Sequence, residues 1–188
     1  QERAKAVTVY RKYLQVVNPS SKEIRQHLVR LYLHDKSYKE ALDELEKMLV
    51  ENPDDLDAQL RAGLIYGELK DYPNAIERLN KILAKRPNEL RIRDYLGLMY
   101  EEIKEYDKAV QAYETNLKIH PAYVDGHLHM GFLFYRLKRT ADAIQHLGEA
   151  VKLNPKQADA HLLLGLTYLQ NEQYALASQA FEQGIVHN

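Results

Sequence analysis

The sequence predicts an all-α fold of about eleven antiparallel helices. Three observations predict it. Pro19, Pro53, Pro87, Pro121 and Pro155 stand 34 residues apart, and so do Gly63, Gly97, Gly131 and Gly165. Ala41, Ala75, Ala109, Ala143 and Ala177 keep the same interval, as do Tyr32, Tyr66, Tyr100, Phe134 and Tyr168. Within each interval, apolar residues recur at spacings of three and four, the period of a helix and not of a strand. A fixed interval of this length, without a slip, marks a repeat architecture.

The elements follow in order. Residues 1–21 carry Ala6, Tyr10, Tyr13, Leu14 and Val17 at helical spacing and read as the second helix of a preceding repeat. Repeats then occupy 22–55, 56–89, 90–123, 124–157 and 158–188, the last incomplete. In 56–89 the stripe Leu60, Ala62, Gly63, Tyr66 and Leu69 predicts a first helix. Lys70-Asp71 makes the turn, and Pro73 falls in the first turn of a second helix, where its missing N–H costs nothing. Ala75, Ile76, Leu79, Ile82 and Leu83 form that helix's apolar stripe. The recurrent Pro then blocks continuation. Gly63 and Ala75 and their equivalents are small enough to let two helices cross closely. A larger residue there costs about 1–3 kcal/mol by overpacking.

Composition excludes several roles. Twenty-six Lys and Arg balance 27 Asp and Glu, so the net charge is −1. A nucleic-acid binder needs a clear basic excess. There is no Cys, hence no thiolate metal site or cysteine nucleophile. No apolar run reaches the roughly 18 residues of a membrane span. His127 and His129 lie on different helix faces, and no convergent carboxylate pair completes a zinc set. His127 and His161 share an offset in adjacent repeats, which predicts ring stacking between them. Glu101, Glu102 and Glu105 read as a solvated helix end. No phosphate loop or nucleophile elbow is present, so neither a catalytic role nor a cofactor is expected. Nothing assigns a compartment.

The 34-residue unit, with its small residue, aromatic, Ala and Pro, resembles the tetratricopeptide repeat (TPR) family over essentially the whole chain. The family's early Trp position holds Arg25, Gln59, Arg93, His127 and His161, and Val29 replaces the first Gly. These departures predict looser local packing. The resemblance implies a right-handed α-α superhelix, a TPR solenoid with nearest-neighbour contacts. It implies that the first helices line a concave groove at offsets 2, 5, 6, 9, 12 and 13. Those offsets place Gln26, His27, Arg30, His34, Arg61 and Arg91 in a basic N-terminal part. They place Leu60, Leu64, Leu98, Leu128, Phe132, Tyr135, Leu162, Leu166 and Leu169 along an apolar part. The inward positions are taken by Leu31, Ile65, Met99 and Leu133, so these extra apolar residues predict burial against something further.

The implied function is a protein–protein interaction module, a scaffold holding a peptide or protein segment in the groove. The alternative is a non-catalytic, substrate-recruiting arm of a larger enzyme such as a transferase. Arg30, Arg61 and Arg91 suit an acidic segment, because guanidinium forks pair with carboxylates. The competing reading is that they are solvated charges balanced by Asp57 and Asp94. The carboxylate-gripping constellation of chaperone-binding relatives falls on Gln26, Arg30, Arg61, Arg91 and Tyr95, where only Arg91 keeps the charge type. The Asn ladder of glycosyltransferase relatives falls on His27, Arg61, Tyr95, His129 and Leu163 and is absent. Neither specialised mode is expected. Residues 158–188 contain no Lys or Arg, and Leu176, Ala180, Phe181 and Ile185 leave the last helix without a polar outer face. That pattern predicts self-association and a fragment of a longer array.

Overall fold

The computed structural model describes residues 2–187. Among these residues there are eleven helices and no strands. They are α1 (Glu2–Val16), α2 (Lys22–His34), α3 (Tyr38–Glu51), α4 (Leu56–Glu68), α5 (Tyr72–Lys85) and α6 (Leu90–Glu102). There follow α7 (Tyr106–Ile119), α8 (Val124–Arg136), α9 (Thr140–Leu153), α10 (Ala158–Gln170) and α11 (Tyr174–Val186). The chain forms two compact units, residues 1–92 and 93–188.

In the first unit, helix starts are fixed by side-chain caps. The Ser21 hydroxyl accepts from the Ile24 amide, Asp55 from Ala58 at 3.1 Å, and Asp71 from Asn74 at 3.4 Å. Each bond satisfies an amide that the helix itself leaves bare. The core joins Leu14 of α1 to Leu28, Val29 and Tyr32 of α2, Leu45 and Leu49 of α3, and Ala58, Ala62 and Ile65 of α4. In the second unit, Tyr113, Met130, Leu133, Phe134, Leu147 and Leu164 form the corresponding core. Of the expected inward positions, Ile65 and Leu133 are buried, while Leu31 and Met99 are only half-buried.

Every hairpin turns on a residue in the left-handed region: Lys36, Lys70, Lys104, Lys138 and Glu172, with φ between 54° and 62°. The next amide in each case reaches back to the recurrent aromatic's carbonyl, from Ser37 to Tyr32 (2.8 Å) through to Gln173 to Tyr168 (2.9 Å). This closes the first helix in the manner usually given to glycine.

The residues replacing Trp are tied into their hairpins by hydrogen bonds. Arg25, Gln59, His127 and His161 each donate to the carbonyl of the Pro six residues earlier, for example Gln59 to Pro53 at 2.9 Å and His161 to Pro155 at 2.8 Å. Arg93 donates to Asn116 at 2.8 Å. A polar tie replaces an indole's bulk. The predicted stacking of His127 on His161 is also absent. His127 meets His146, and His161 meets His187, because each side chain turns toward a second helix.

Candidate functional site: the first-helix faces

In the first unit, α2 and α4 bring Arg30 and Arg61 to one cleft of about 170 Å³, floored by Val29, Leu45 and Met48 and edged by Gln26 and Asp57. Arg61 Nε donates to Asp57 Oδ2 at 2.8 Å, one turn away on the same helix. Arg30 Nη2 donates to His27 Nδ1 at 3.1 Å. Both guanidinium groups keep solvent-facing donors, since Arg30 is exposed and the Arg61 side chain is 42% exposed. Arg91 is exposed on the first turn of α6 and is not among the residues lining this cleft. Leu64 is exposed and Leu60 half-buried.

In the second unit the arrangement is apolar. Phe132 of α8 is 37% exposed, and Leu162 and Leu169 of α10 are 49% and 46% exposed. Leu98, Leu128, Tyr135 and Leu166 are half-buried, and Leu128 and Tyr135 pack onto the core. The Arg136 guanidinium lies 5.7 Å from the Phe132 ring centre, within cation–π range.

Two carboxylates expected at the surface are inside. Asp94 is 6% exposed and does not serve as a counter-charge to the solvated arginines. It accepts from Asn116 Nδ2 at 2.8 Å and from the Tyr123 hydroxyl, with His129 at 4.0 Å. Burial pushes its carboxyl above the usual range, against the stabilising bond from Tyr123 and the nearby His129. Glu101, expected at a solvated helix end, is 2% exposed. It accepts from Tyr113 at 2.7 Å and from Arg136 at 2.8 Å. Burial raises the Tyr113 phenol as well, so this network keeps a neutral hydroxyl donor beside a carboxylate. The sequence hides both cases, because their partners lie on neighbouring helices 12 to 35 residues away.

Among the described residues, no group of three or more His, Asp or Glu side chains is placed to hold a metal ion. No described helix is long and apolar enough to cross a membrane.

Comparison with known families matches tetratricopeptide repeats at residues 32–99 and 95–123 and a TPR repeat at 134–172. The chain belongs to the tetratricopeptide-repeat family. No curated protein matches it in sequence. Among solved structures, one of MamA superposes with a TM-score of 0.75 at 19% identity, covering 85% of this chain and 94% of that one. MamA from residue 41 onward, from Desulfovibrio magneticus RS-1, gives 0.75 at 22% identity, covering 88% and 93%. A further MamA structure gives 0.74 at 17% identity, covering 98% and 92%. At these identities the likeness is one of fold. Tetratricopeptide repeats make this chain a protein–protein interaction module of a generally non-catalytic class.

Proposed function

We propose that the chain is a scaffold that holds protein segments against the first-helix faces of its repeats. The observation that carries this is the exposure of Phe132, Leu162 and Leu169 while the positions behind them, Leu133 and Leu164, are already buried. Apolar side chains left over once a core is filled gain free energy by covering, about 25 cal/mol per Å² removed from water. In the first unit, the Arg30–Arg61 cleft supports a preference for an acidic side chain on the bound segment. Two guanidinium groups above an apolar floor offer forked donors to a carboxylate and a dry surface to its carbon stem. Asp57 takes one Arg61 donor and leaves the others free to bind.

The test is a peptide array probed with the purified chain, followed by calorimetry on the selected peptides. Phe132→Ser and Leu162→Asp should each weaken binding about tenfold or more, as central apolar contacts do. Arg61→Glu should weaken acidic peptides selectively. Peptides that bind all three variants as tightly as the natural chain would overturn the reading.

A further inference from the structure

In the first, second and fourth repeats one position makes two bonds, and in the fourth both partners of the cross-helix bond can take protons. Arg25 donates to the Pro19 carbonyl and to Glu44 on the second helix, 19 residues on. Gln59 donates to the Pro53 carbonyl, and its Oε1 accepts from Arg78 Nη1 at 3.2 Å, again 19 residues on. His127 bonds the Pro121 carbonyl and His146, each at 3.1 Å, over the same separation. The first two joints pair a fixed donor with a fixed acceptor near neutral pH. The third consists of two imidazoles.

Chemistry fixes the protons. A carbonyl only accepts, so His127 Nε2 carries hydrogen and its Nδ1 lone pair is bare in the neutral ring. His146 Nδ1–H must then donate to it. With one added proton, a single hydrogen still lies between the two Nδ1 atoms: a charged His127 donates its Nδ1–H to His146, whose own hydrogen moves to Nε2, and the bond stays, now charge-assisted. A second proton, on His146, sets two Nδ1–H groups head-on at 3.1 Å, and attraction becomes repulsion. The ring centres are 5.3 Å apart with both nitrogens between them, so the lone pair points along the N–N line and does not converge with its neighbour on a metal ion.

The surroundings temper the added charge without removing the clash. Glu114 of α7 and Asp142 of α9 act on His146, and Glu149 of α9 interacts with His127. Asp142 is held by Arg139 at 2.8 Å and Glu149 by Lys152 at 2.7 Å. From α10, His161 turns to the Pro155 carbonyl, and Asp159 edges a cleft shared with α11. Phe134 packs its ring 5.6 Å from that of His146.

We propose that the His127–His146 joint is a pH-sensitive catch. It holds α8 to α9 at neutral pH and opens on acidification, while the Arg25–Glu44 and Gln59–Arg78 joints stay closed. In support, burial and the neighbouring His127 hold the His146 imidazole below its ordinary value of 6.5. A group lowered on folding contributes stability that is present above its unfolded value. That stability is lost as pH falls through the lowered folded value, here from about 6.5 downward.

Hydrogen exchange of the whole chain at pH 7 and pH 5, corrected for intrinsic rates, reads the catch. Protection in α8 and α9 should fall on the order of tenfold more than in α2 and α3. The variant His127→Gln/His146→Arg copies the Gln59–Arg78 joint and should abolish that excess loss. His127→Arg/His146→Glu, copying Arg25–Glu44, should do the same. An equal excess loss in a folded copy, or none in the natural chain, would overturn the proposal. Proton titration of the natural chain's histidine ring signals decides independently of any variant. Two coupled steps, the second below the ordinary histidine range, support the catch. Two independent ordinary titrations refute it.

Discussion

Gly131 and Gly63 hold the same place in their hairpins but have different surroundings. A β-carbon added at Gly131 would lie 2.5 Å from the Leu147 side chain, whereas one at Gly63 would lie 3.2 Å from Arg78 Cβ. Gly131→Ala should therefore lower stability by about 1–3 kcal/mol through overpacking. Gly63→Ala should be close to neutral, because a helix-interior alanine gains about 0.5–1 kcal/mol over glycine and offsets the tighter contact. Denaturant titration of the two variants checks the contrast. Equal losses would mean that helix crossing does not set the requirement for glycine. At Lys70, φ is 60°, a conformation that costs a side-chain-bearing residue about 1 kcal/mol. Lys70→Gly should raise the thermal midpoint by a few degrees, and an unchanged or lower midpoint would count against that strain.

At the scale of the helix, much was legible and the exceptions have physical causes. The recurrent Pro and aromatic residues announce where helices stop because proline lacks an amide donor and cannot continue one. The left-handed turns were invisible because Lys36, Lys70, Lys104, Lys138 and Glu172 stand where glycine would have marked them. The ties of Arg25, Gln59, His127 and His161 were invisible for another reason. A polar residue in place of Trp reads as lost packing until the chain folds back and offers it the proline carbonyl. Of the candidate site, Phe132, Leu162 and Leu169 were legible as surplus apolar residues. That Leu128 and Tyr135 pack onto the core was not, since it depends on neighbouring helices. On α11, Tyr174, Leu176, Ile185 and Val186 are exposed. Exposed apolar clusters favour association. Light scattering should show mass rising with concentration, and Ile185→Glu/Val186→Lys should suppress the rise. Identical behaviour of the two proteins would exclude this helix as the cause.

At the scale of the whole molecule, the proposed function assigns stability and recognition to different parts of the repeat. Proline ties and small crossing residues build the hairpins, and in the proposed function the exposed side chains of the first helices meet the partner. Charge reversal at Arg61 should accordingly change binding and not folding. Its Asp57 partner is exposed, and exposed ion pairs contribute only about 0–1 kcal/mol. A thermal midpoint that drops by many degrees would assign Arg61 to structure. Whether partners lie against the first-helix faces is decided by amide chemical-shift mapping of an array-selected peptide titrated into the labelled chain. Saturable shifts should cluster on α2 and α4 for acidic peptides and on α8 and α10 for apolar ones. Shifts confined to the second helices α3, α5, α7, α9 and α11 would contradict the proposed function.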